Sequence, residues 1–137
     1  MKDPAMAAIA KNVLGMSDQD IEKVTPEQER EYKNSIENMS KYRLVAEVVQ
    51  SKYCAAGVQV GQKIVIDGAA INAEETDCPL CVGAIAPLER ANAVYMDRCA
   101  QGGEMAAPLA GVACIDPGFE AGGLGSVLFD VRVEPKS

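Results

Sequence analysis

Apolar positions are sparse over residues 1–41 and dense from Tyr42 onward, and this contrast divides the chain. In the first stretch Ile9, Val13 and Leu14 make a thin stripe, which predicts a short helix from Asp3 to Leu14 ended by Gly15. Ser17 is a good N-cap for a second helix over Asp18 to Val24, whose acidic first turn complements the helix dipole. Thr25-Pro26-Glu27-Gln28 is a capping-box pattern that opens a third helix to about Met39. Its apolar positions are few (Tyr32, Ile36, Met39), so the stretch reads either as a solvated helical lead-in or as an arm that lies on another protein.

Beyond residue 41 the pattern turns to strands. Tyr42 to Gln50 places Leu44, Ala46 and Val48 on one face, with Val45 and Val49 suggesting burial on the other. Val58 to Gly68 reads as a second strand region closed by an Asp67-Gly68 turn signal. Ile85, Leu88, Ala91, Val94 and Tyr95 recur at helical spacing, but Pro87 predicts a short turn first and a separate helix from Pro87 to Arg98. Cys99 to Gly125, rich in Gly, Ala and Pro, reads as an irregular loop. Ser126 to Glu134 alternates Val127, Phe129, Val131 and Val133 with more polar residues, the pattern of a half-buried antiparallel strand. The expected fold class is α+β: a helical arm (1–41), then a small, mainly antiparallel β module with one or two helices (42–137).

Composition narrows the function. A net charge of −7 and a pI near 4.6 oppose binding to nucleic acid or anionic membrane surfaces, which select clustered Lys and Arg. No apolar run reaches the roughly 20 residues of a membrane span, and the first residues lack the apolar core of a secretory signal, so the expected location is cytoplasmic. The chain has no His, which removes Ser-His and Cys-His catalysis and His-ligated metal sites. Its five Cys, an odd number in a reducing compartment, suit metal binding or redox chemistry better than a disulfide framework.

The chemistry centres on Thr76-Asp77-Cys78-Pro79-Leu80-Cys81-Val82-Gly83. A Cys-x-x-Cys knuckle can grip one metal ion or close one disulfide. With Asp77 or Cys78 as N-cap and Pro79 at the first helical position, both sulfurs would sit in the first turn, where the dipole favours thiolate. Cys114-Ile115-Asp116-Pro117-Gly118 and Cys54-Ala55-Ala56-Gly57 are turn-forming or small-residue runs able to fold around an ion. The expected ligands are therefore Cys54, Cys78, Cys81 and Cys114 around a structural zinc, with Cys99 spare; an iron–sulfur cluster stays open. A dithiol oxidoreductase or redox sensor using Cys78 and Cys81 is the alternative. Glu74, Glu75 and Asp77 read as a solvated loop and helix cap rather than an acid/base group.

Cys54-x-x-Gly-x-x-x-Gly, a following strand, Cys81 opening a helix, and Cys114-x-Asp before a final Val/Phe strand resemble a group of small bacterial proteins of mostly unassigned function. The likeness spans Tyr42 to Val133; where that group often carries a His near the first cysteine, this chain has Val58. The helical arm before a cysteine-rich β module, the small size and the acidic composition also resemble the zinc-binding subunits of ATP-dependent ketone carboxylases of the acetone and acetophenone type. That resemblance implies a non-catalytic structural subunit within a hetero-oligomer whose large catalytic subunits carry the ligase chemistry of ketone degradation.

Overall fold

Local capping sets the first three helices of the computed structural model, which describes residues 1–136. Asp3 caps α1 (Pro4–Asn12), its carboxylate accepting from Ala5 N–H. Ser17 caps α2 (Asp18–Lys23) through Asp20 N–H. Thr25 and Gln28 form both bonds of the capping box at the start of α3 (Pro26–Lys41). Met6, Ala10 and Ile21 are the buried residues of α1 and α2, which lie against each other.

The fold is α+β, with a five-stranded antiparallel sheet ordered β3-β2-β1-β5-β4. Its strands are β1 (Tyr42–Lys52), β2 (Lys63–Asp67), β3 (Ala70–Ile71), β4 (Val112–Ala113) and β5 (Ser126–Pro135). The alternation that predicts β5 is obeyed: Val127, Phe129, Val131 and Val133 point into the core, where Val131 opposes Ala46 and Phe129 opposes Val48. A bulge between Val48 and Gln50 turns Val49 out to solvent, so the second apolar face expected of β1 is realised only at Val45, buried beside Val65. That face also carries an ion-pair network in which Arg43 bonds Glu134 and Glu75 while Arg132 bonds Glu47, Asp130 and Glu134. The strand region expected from Val58 is shorter, since Val58 to Gln62 lies outside any strand, with a turn at Val60-Gly61; the Asp67-Gly68 turn closes the β2–β3 hairpin with Gly68 at φ 66°.

α4 runs unbroken from Val82 to Gln101, through Pro87, where the sequence predicts a break. Proline cannot donate to the carbonyl one turn back, that of Gly83. Ile115 N–H takes its place, donating to Gly83 O at 3.0 Å. The helix lays Ala84, Leu88, Ala91, Tyr95 and Cys99 on the sheet, and Tyr95 OH donates to Tyr42 O at 3.0 Å.

α3 has no buried residue, yet it lies along α4. The contact is substantially polar: Asn34 and Asn38 side chains donate to the carbonyls of Ala100 and Cys99, two acceptors that the end of α4 leaves without helical partners. This part of the arm therefore docks on its own β module, through side chains that an apolar-stripe criterion does not register.

Candidate functional site

At the end of the sheet where β1 runs out, β5 begins and α4 starts, three elements each deliver one thiol. Cys54 follows β1 through Tyr53, a non-glycine residue in the left-handed region at φ 55°. Cys81 occupies the N-cap of α4, and Cys114 follows β4. These residues line one cavity of about 120 Å³, walled otherwise by Asp116 and by small and apolar residues, among them Ala55, Gly83, Ala84 and Gly125. Cys78, the remaining expected ligand, is 5% exposed and belongs to the core beside them. Its thiol is pushed up to about 11, first by burial and then by Asp77 and the neighbouring Cys54 and Cys81 thiols.

The helix start differs from the expected one. α4 begins at Val82, so only Cys81 lies at the positive end of the dipole; Cys78 and Pro79 precede the helix. Asp77 is not a helix cap. Its carboxylate accepts from Lys63 N–H at 2.6 Å and its own N–H donates to Lys63 O, extending the pairing of β2. Glu75 pairs with Arg43, which gives the acidic loop a structural task.

Cys114 is held by backbone. Its N–H donates to Val127 O at 2.9 Å, and Val127 N–H donates to Cys114 Sγ at 3.3 Å. The Pro87 break supplies a second fixture, because the Gly83 carbonyl it frees binds the residue next to Cys114. Asp116 supplies a third: its carboxylate accepts from the N–H groups of Gly118, Leu124 and Gly125, and these bonds, led by Gly118, lower its pKa. The loop so gathered presses Gly125 against the backbone of Tyr53 and Cys54. A Cβ at residue 125 would meet Tyr53 O, lie 2.7 Å from Tyr53 C and 2.9 Å from Cys54 N. Asp116, Gly125 and the Gly83–Ile115 bond are the positioning parts that sequence reading missed. The Asp-Pro-Gly turn was their one visible trace.

Cys99 lies elsewhere, fully buried at the end of α4 beside Tyr95, with burial raising its thiol pKa. Of the cavity's lining residues Ile115 and Leu124 are exposed; Leu124 also lines a second hollow with exposed Tyr53 and Phe119, which meet edge to face at 5.4 Å. Among the described residues no group of three or more Cys, Asp or Glu side chains is arranged to hold a metal ion as it stands, and no helix is long and apolar enough to cross a membrane. Scans against family models, curated proteins and solved structures return no significant match to this chain.

Proposed function

We propose that the chain is a thiol-ligated metal module without catalysis of its own, working in the cytoplasm as an accessory subunit of a larger enzyme. The observation that carries this reading is the convergence of Cys54, Cys81 and Cys114, from three separate elements, on one small cavity with Cys78 adjoining it. Zinc is the occupant expected from the sequence, and the donor chemistry suits it. Exposed Ile115 and Leu124 on the cavity, with exposed Tyr53 and Phe119 sharing a second hollow with Leu124, support a partner-bound state, since clustered apolar exposure marks interaction surfaces. Assignment to the large catalytic subunits of an ATP-dependent ketone carboxylase rests on the resemblance alone.

Two measurements test this reading. Metal analysis of the chain purified without chelator is expected to find bound metal that a thiol-modifying reagent releases, and co-purification from the native cell is expected to recover the large subunits. A metal-free chain with a reversible Cys78–Cys81 dithiol/disulfide couple would replace the reading with the redox alternative.

A further inference from the structure

We infer that the groove between β4 and α4 docks an extended, acidic segment of another protein, which adds one strand to the free edge of the sheet. The inference goes beyond the thiol site and does not depend on it. β4 is the last strand of the sheet, so β5 alone pairs with it. Cys114 N–H donates to Val127 O, and since backbone groups alternate sides along a strand, the N–H and C=O of Ala113 point away from β5. That outward side faces α4, because Ile115, two residues on, donates from it to Gly83 O. The Ala113 groups have no such partner, and among the described residues the backbone of Leu109, Ala110 and Gly111 bonds to no other backbone group either. An unpaired edge of this kind is a template for one more strand.

The space beside that edge suits a peptide. A groove of about 460 Å³ runs between residues 109–113 and α4, where Ala86, Arg90 and Val94 follow one another at successive helical turns. From Ala86 to Val94 the helix rises about 12 Å, the length of roughly four strand residues. Small and aliphatic residues make most of the wall, so the guest side chains that alternate toward it are small aliphatic ones. Arg90 is exposed, and among the described residues it forms no ion pair. Its guanidinium selects a carboxylate side chain on the guest, which it can grip with two parallel hydrogen bonds. Glu89, the other charged residue of the groove, stands at the rim of that helical face and also borders the hollow it shares with Ile64 and Ile71. Two copies of the chain set edge to edge would face each other with concave walls and leave the groove unfilled, whereas one inserted strand fills it while pairing with Ala113.

The test pans a phage-displayed library of random heptapeptides on the full chain, with the Ala113→Pro variant as counter-target. Proline there removes a donor that no ladder bond uses, so this variant should keep its circular dichroism and Tm and lose the selected peptides. An acidic residue flanked by small aliphatic ones is expected among them. By fluorescence anisotropy with a synthetic peptide of that sequence, Arg90→Glu should weaken binding about tenfold or more. The same peptide with Lys in place of its acidic residue should bind Arg90→Glu more tightly than the unaltered chain. N-methylation of alternate peptide amides should abolish binding to the unaltered chain, which tests the edge bonds without any substitution in the protein. Failure to enrich an acidic sequence, or affinities indifferent to both variants, would overturn the inference. A chain that sediments as a dimer and turns monomeric on Ala113→Pro would overturn it in favour of a second copy as the occupant. None of these outcomes bears on metal binding at the thiols.

Discussion

Gly125→Ala should disable the site without touching a cysteine. The added methyl would meet the Tyr53 carbonyl oxygen and stand 2.7 Å from Tyr53 C and 2.9 Å from Cys54 N, all backbone atoms that no rotamer change can move aside. Relief requires displacing either the Asp116 loop or the segment that carries Cys54. Overpacking of this kind costs about 1–3 kcal/mol, and a backbone obstacle places it at the upper end, about 3 kcal/mol. With an unfolding entropy of about 2.1 cal/mol/K per residue over 137 residues, that is a fall of roughly 10 °C in Tm. Gly83→Ala is the matched control, because its Cβ would lie 3.2 Å from the Ile115 side chain, which is exposed and free to yield. Differential scanning calorimetry of both variants, with metal content measured on the same samples, gives the comparison. A Gly125→Ala protein with native Tm and native metal content would refute the claim that this close approach positions Cys54.

Asp116→Ala should release the three amides that its carboxylate gathers, so that hydrogen exchange at Gly118, Leu124 and Gly125 rises above exchange in β5, and metal retention falls. Glu134 should contribute to acid unfolding. Burial alone would raise its pKa, but hydrogen bonds from Arg43 and Arg132 outweigh burial and hold it below the ordinary 4.5. A depressed carboxylate stabilises the fold above its unfolded pKa and loses that contribution as pH falls below 4.5 through the folded value. Glu134→Gln is therefore expected to flatten the pH dependence of denaturant midpoints in that window and to lower them at neutral pH. Asn34→Ala and Asn38→Ala should each cost about 1 kcal/mol and speed exchange along α3, whereas unchanged exchange in the double variant would show that apolar contact alone holds this helix to α4.

The parts of the fold that sequence made legible are those whose signal and response lie within a few residues. Ser17, Thr25 with Gln28, and Gly15 write the helix ends locally, and the alternation through Phe129 writes its own burial. What was illegible depends on partners distant along the chain. Pro87 reads as a helix break until Ile115 arrives to satisfy the carbonyl it frees. α3 reads as unattached because Asn34 and Asn38 dock it through the unsatisfied end of another helix. The candidate site divides the same way. The cysteines were visible as residue types, and Cys54, Cys81 and Cys114 line one cavity, but the glycine and carboxylate that position them carry no spacing signal.

The sheet order carries a consequence for when the thiols can meet. β1 and β5 are adjacent at the centre of the sheet, Tyr42 pairing with Pro135, although nearly all of the module lies between them in sequence. Closing so long a loop is entropically unfavourable until many contacts form together, which makes this pairing a late and slow event. Cys54 leaves the end of β1, while Cys114 is held by Val127 at the start of β5, so the pocket assembles only as that pairing completes. The nascent chain thus carries scattered, individually weak thiols, and a metal bound at the proposed site would act as a latch on a nearly finished fold rather than as its nucleus. Supplying metal during refolding should slow unfolding far more than it accelerates folding.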